Sequence, residues 1–251
     1  MARQNGIIKL KGTIGGITFY KTSDGDLARE KGGVDASRIA NDPAFQRTRE
    51  NGSEFGAAGK GGKLVRNAIR ILLQNAKDKR VVSRLTTDLL KVIKTDTVNE
   101  RGSRTIQDGN ISLIQGFEFN TNGKLGSTLF ADYKASFDRT AGEAVLVVPP
   151  FAPKVRIAAP AGTTHFKVLM GLAELNFEAE TSKFESDETA ILPYDSADTA
   201  NIDLLVAIDA ASTQPVIQVM GIEFYQEVNG QMYPLKNGSY NALAVIDATV
   251  A

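Results

Sequence analysis

The sequence predicts an α+β fold: an N-terminal β-hairpin or meander and a helical hairpin, followed by a C-terminal antiparallel β-sandwich of immunoglobulin-like kind. Three observations predict it. Residues 6–33 alternate apolar and polar side chains between glycines. Residues 63–95 repeat apolar side chains at helical spacing. Beyond residue 110 come seven short strand-like segments, divided by turns and prolines.

The N-terminal segment begins with Ile8 and Leu10 on one face of a strand, against Lys9 and Lys11 on the other. Gly12, Gly15 and Gly16 then allow a tight reversal. Ile17 and Phe19 resume the alternation against Thr18 and Tyr20, and "SDGD" at 23–26 marks a second turn. Such a meander is marginally stable alone in water, so it must pack on its own chain or on a neighbour. Ile8, Leu10, Ile14, Ile17, Phe19 and Tyr20 are therefore the candidate assembly contacts.

Asp42 before Pro43 pairs a good helix cap with a good first helical residue, and Phe45 opens a helical stretch. Gly52, Gly56, Gly59, Gly61 and Gly62 then argue against one long helix, at about 1 kcal/mol each relative to alanine. They suit either a close backbone approach or a loop between helices. From Lys63 the pattern firms, with Leu64, Ala68, Ile71 and Leu72 in register. Residues 80–95 give the clearest helix, with Val82, Leu85, Leu89 and Val92 on one stripe. The short "NAKDK" link makes the two helices an antiparallel pair.

"NERGSRTIQDGN" at 99–110 is the predicted boundary between a domain of residues 1–104 and one of residues 105–251. The strand-like segments that follow include "ISLIQGFEFN", "HFKVLMGLAELNFEAE" and "VIQVMGIEFYQEV". Charge divides in the same place. Residues 1–104 hold 21 Lys and Arg against 11 Asp and Glu, while the remainder hold 8 against 18. A net charge of zero thus conceals a basic half and an acidic half, suited to head-to-tail docking or to a polyanion at one end.

Catalytic chemistry finds little support. There is no cysteine, so thiolate nucleophiles, cysteine metal sites and disulfides are excluded. "GAAGKGGKL" ends in Leu64 where a phosphate-binding loop needs Ser or Thr, and "GTIGG" lies between strands. The single histidine, His165, falls in a predicted strand without a nucleophile elbow. Glu185, Asp187, Glu188, Asp195 and Asp198 read as solvated acidic loops, since the EF-hand pattern is absent. No cofactor, metal site or small-molecule substrate is expected. The basic density is more suggestive. Arg47, Arg49, Lys60, Lys63, Arg66, Arg70, Lys77, Lys79, Arg80 and Arg84 fall within 38 residues and form a candidate nucleic-acid surface.

"GIIKLKGTIGGITFYKT", "LAREKGGV" and "NDPAFQRTRENGSEFGAAGKGGKLVRNAIR" resemble the start of a group of uncharacterised bacterial proteins, in which a Gly-rich hairpin precedes a Phe- and Arg-containing helical stretch. The likeness covers residues 6 to about 75 and implies a fold but no activity. The expectation is a non-enzymatic structural protein that binds copies of itself and builds a filament, tube or virion-like particle. Nucleic-acid binding through the basic half is the alternative. Without a signal-peptide core or an apolar membrane-spanning run, the chain is expected in the cytoplasm, or released within an assembled particle.

Overall fold

In the computed structural model, residues 2–30 and 32–250 are described. They form two compact units, Met1–Arg49 and Glu50–Ala251. In the first, β1 (Ala2–Arg3), β2 (Gly12–Ile14), β3 (Ile17–Thr22) and β4 (Gly25–Glu30) make an antiparallel sheet in the order β1-β4-β3-β2. Ile14 lies opposite Ile17 across a turn in which Gly15 adopts a φ of 57°. Thr22 lies opposite Gly25 across the second expected turn. A helix α1 (Ala36–Asn41) follows, capped by the Asp35 carboxylate. Asp42 accepts from the Ala44 N–H at 2.9 Å and starts the turn Pro43–Phe45, as its sequence position predicts.

One expectation for this unit fails. Ile8 and Leu10 are not in a strand but in the connection from β1 to β2. The chain returns there so that β1 can pair with β4, and the Gln4 side chain secures it by bonding Leu10 N–H at 2.8 Å and the Leu27 carbonyl at 3.1 Å.

The second unit is built on two long strands, β7 (His165–Asn176) and β11 (Val216–Val228), antiparallel along ten paired residues. Before them come helices α2 (Gln46–Ala68), α3 (Arg70–Leu73), α4 (Val81–Lys94) and α5 (Leu125–Thr128), strands β5 (Lys134–Asp138) and β6 (Glu143–Val148), and the short α6 (Pro153–Arg156). Between and after them come β8 (Thr181–Glu188), β9 (Leu192–Pro193), β10 (Ile202–Ala207), β12 (Gln231–Pro234) and β13 (Ala242–Thr249). One sheet holds β12-β11-β7-β8, with β13 on β11 and β9 on β7; a second is ordered β10-β6-β5.

Side-chain alternation gives the large sheet two apolar faces. Phe166, Val168, Met170, Met220, Ile222 and Phe224 share a core with Leu146, Val148 and Leu204 of the small sheet. On the opposite face Leu169, Ala173, Ile217, Val219 and Val245 share a core with Val65, Leu72, Leu85 and Leu89 of the helices. Helices, large sheet and small sheet are thus three successive layers, and the fold is mixed α+β with antiparallel sheets. The helices of residues 50–104 belong to this unit because their apolar stripe covers the sheet. The division of the chain accordingly falls in the first turn of α2 and not at residue 104.

Three sequence expectations are corrected here. Residues 46–68 are one helix despite five glycines. Gly61 explains part of this: a Cβ there would meet Ile106 Cδ1 at 2.1 Å and Phe177 at 3.3 Å, so the bare backbone permits the approach. Full burial of Ala58 and Val65 offsets the glycine cost. The buried stripe of α4 runs through Val81, Leu85, Leu89 and Val92, leaving Val82 half exposed; Ile71 is likewise exposed while Ile69 and Leu72 are buried. Residues 111–120 contain a single helical turn and one isolated bridge, Glu118 to Ala244, instead of a strand. Phe117 and Phe119 are both buried there, edge to face at 5.1 Å, on one face as alternation requires. Residues 116–119 exchange backbone hydrogen bonds with Leu243 and Val245 of β13, but the pairing stops at that one bridge.

The turn after α4 is held by Asp96, whose carboxylate accepts from the backbone of Val98, Asn99 and Thr105 and from the Asn99 side chain. Burial pushes its pKa up, but these bonds outweigh burial and hold it at about 2. The folded value lies below the ordinary 3.8, so this contribution is complete above that value and is lost as pH falls through about 2. The Asp96→Asn variant is therefore expected to have a lower urea midpoint at neutral pH, and a smaller further fall than wild type between pH 4 and pH 2. Parallel acid curves for the two proteins would contradict this role.

Candidate functional site

The register of the N-terminal sheet places Ile14, Ile17, Phe19, Ala28 and Ala2 on one face, with Lys21, Asp26 and Glu30 at its margins. Thr13, Thr18, Tyr20, Leu27 and Arg29 fall on the other, where the Arg29 guanidinium sits 5.4 Å from the Tyr20 ring centroid. The structure thus brings together Ile14, Ile17 and Phe19 of the predicted contact set. It puts Tyr20 on the reverse face and leaves Ile8 and Leu10 outside the strands. Ala2 and Ala28 complete the apolar face and were missed; "DLARE" carries the signal, because Ala28 pairs with Phe19.

Exposure is what distinguishes this unit. None of the described residues from 2 to 49 is buried. Ile14 is 62% exposed, Ile17 46% and Ile8 81%. An open concavity of about 570 Å³ lies on the sheet, bounded by Ala2, Gly16, Ile17, Ala28, Arg29 and Glu30. A four-stranded sheet that exposes Ile14 and Ile17 and has no buried side chain leaves an apolar strip uncovered.

The residues of the predicted basic surface lie in several local settings. Arg47 and Arg49 belong to the first unit, where Arg49 Nη1 bonds the carbonyls of Ile39 (2.7 Å) and Asp42 (3.0 Å). Lys60 pairs with Glu180 at 3.5 Å. Arg66 is partly buried, with Nη1 lacking a hydrogen-bond partner, and burial lowers its pKa. Arg84 reaches Asp78 at 2.5 Å and the Glu118 carbonyl at 2.6 Å, with its guanidinium 5.0 Å from the Phe117 ring centroid. Lys63 and Arg70 are exposed on α2 and α3. Lys77, Lys79 and Arg80 remain together, bordering one cleft at the start of α4.

A buried ion pair escaped the sequence reading. Glu54, 2% exposed in the middle of α2, accepts from Arg104 at 2.7 and 2.9 Å and from the Gly102 N–H at 2.9 Å. It ties the helix to the segment predicted to be an interdomain linker. His165 opens β7, 3.0 Å from Thr164 Oγ1 and 4.0 Å from Glu227. Among the described residues no group of three His, Cys, Asp or Glu side chains is arranged to hold a metal ion. Of the residues expected in acidic loops, Glu185, Asp187 and Glu188 lie instead in β8; Asp187 accepts from Leu205 N–H at 3.1 Å and Glu188 from Lys167 at 2.7 Å. Among the described residues no helix is long and apolar enough to cross a membrane.

No protein-family model matches the chain, and no curated protein matches it, in keeping with the resemblance to an uncharacterised group. Two solved structures are similar in part. One, described as "pH-induced modulation of Streptococcus parasanguinis adhesion by Fap1 fimbriae", matches 46% of this chain and 78% of its own at 12% identity, with a TM-score of 0.23. The other, a human F-spondin reeler domain, matches 50% of this chain and 99% of its own at 11% identity, with a TM-score of 0.18. Neither score is high enough for the likeness to carry an argument.

The fate of the arginines makes a direct prediction. Truncating Arg84 to alanine leaves the Asp78 carboxylate, only 8% exposed, without its cation. Chemical unfolding should show a loss of about 1–3 kcal/mol. Lys63→Ala, at an exposed position, should change stability by less than about 0.5 kcal/mol. Equal effects would mean that Arg84 is an ordinary surface cation.

Proposed function

We propose that this chain is a non-enzymatic structural protein that assembles with copies of itself through the apolar face of its N-terminal sheet. The observation that carries the reading is the absence of any buried side chain among described residues 2–49, combined with exposed Ile14 and Ile17 on one sheet face. Covering the exposed part of the two isoleucines, 62% and 46%, would contribute roughly half of the ~1.5–3 kcal/mol that full burial gives each, which favours pairing with a second copy. In this reading the layered second unit, with its immunoglobulin-like pair of stacked sheets, is the rigid body of the assembly. Divided at residue 49, the first unit holds 9 Lys and Arg against 5 Asp and Glu and the second 20 against 24, opposite signs that favour a head-to-tail contact, which builds filaments or tubes when its rotation does not close.

Light scattering after size exclusion, at about 50 and about 500 mM salt, tests the reading. Wild type is expected to elute as multimers at both salt concentrations, because burial of apolar surface is not screened. Ile14→Lys combined with Ile17→Lys should give monomers of unchanged helix and strand content. A wild-type monomer at both salts, at the highest concentration reached, would overturn the proposal.

A further inference from the structure

We propose that the cleft at the start of α4 is a phosphate-binding site, formed by Lys77, Lys79 and Arg80. This stands apart from the assembly reading, since every residue involved lies in the second unit. The cleft is a concavity of about 530 Å³, walled by the 77–80 turn and Arg84 on one side and by Thr121, Asn122 and Ser239 on the other.

The charge balance of the cleft is what points to an anion. Asp78 is its one carboxylate, and it is fully committed. Its oxygens accept from Arg84 at 2.5 Å, from the Arg80 N–H at 2.6 Å and from the Thr121 N–H at 3.0 Å. Burial pushes the Asp78 pKa up, but these bonds outweigh it and hold the acid below the usual range. Asp78 and Arg84 therefore cancel, and Lys77, Lys79 and Arg80 are left as an excess of three positive charges on exposed side chains. No ion pair among the described residues engages any of the three.

The walls are fixed before any ligand arrives. Asp78 joins the turn to Thr121. Asn120, completely buried, donates to the Ser239 carbonyl at 3.0 Å and the Asn241 carbonyl at 2.8 Å, which ties the opposite wall to β13. The backbone adds to the same field: α4 has no acidic residue in its first turn and no side chain bonded at its cap. The one carboxylate at this helix end is Asp78, which bonds the Arg80 N–H and is already shared with Arg84.

The shared ligand chemistry is phosphate, from a free oligophosphate or from the backbone of a single-stranded nucleic acid. Anisotropy of a labelled oligonucleotide of about 12 nucleotides, with tripolyphosphate as competitor, separates the two sources. With three phosphates neutralised, the affinity for the single strand should fall with salt at a log–log slope of about −2. Lys77→Ala, Lys79→Ala and Arg80→Ala together should weaken binding more than about tenfold and flatten that slope. Lys63→Ala with Arg70→Ala should weaken it less than about twofold, and thermal melting should show all variants folded. Displacement by tripolyphosphate supports the site and assigns it to free oligophosphate; binding that only the oligonucleotide achieves supports it and assigns it to backbone. No binding of either at about 50 mM salt, or equal losses in the two sets of variants, would overturn the proposal.

Discussion

Burial of β7 and β11 on both faces is the constraint from which the second unit follows. Their sequences, "FKVLMGLAEL" and "VIQVMGIEF", are apolar on successive residues, so neither face can be left to water. The small sheet covers one face and the helices of residues 50–94 cover the other. Gly171 shows how closely the cover fits: a Cβ there would meet Phe184 at 2.7 Å and Leu72 at 2.9 Å. The helices are therefore held by the sheet more than by their own propensity, which is how α2 tolerates five glycines.

The N-terminal unit obeys the opposite condition. Its sheet is as regular in pairing as the others, yet its apolar side chains remain on the surface. Backbone pairing alone does not stabilise so small a sheet in water. What the first unit lacks in apolar burial is the physical basis for reading it as one side of an interface. In the proposed assembly the surface isoleucines would supply the part of the contact that salt does not screen, and the opposite net charges of the two units would select its direction.

Much of this was legible in the sequence, and the failures share a cause. Turn chemistry was readable: Gly15, "SDGD" and Asp42–Pro43 each do locally what their side chains dictate. Local periodicity also gave the helix at 81–94, with an error of one residue at Val82. Tertiary facts were not readable. Nothing local says that Gly61 faces Ile106, that Glu54 binds Arg104 fifty residues away, or that the helices roof the sheet and so join residues 50–104 to the second unit. The partners of the basic run were unreadable for the same reason. Side chains adjacent in sequence were given different partners by the fold, with Arg84 turned to Asp78 and Lys60 to Glu180, while Lys77, Lys79 and Arg80 border the same cleft as Arg84 without an ion pair among the described residues.

The most direct measurement of the central claim is amide hydrogen exchange of the full chain at two protein concentrations about a hundredfold apart. The account predicts that β7 and β11 are protected equally at both, because their cover is intramolecular. It predicts that β3 and β4 exchange quickly in the dilute sample and slowly in the concentrated one, because their cover is another copy. Exchange of β3 and β4 at one rate in both samples would contradict it.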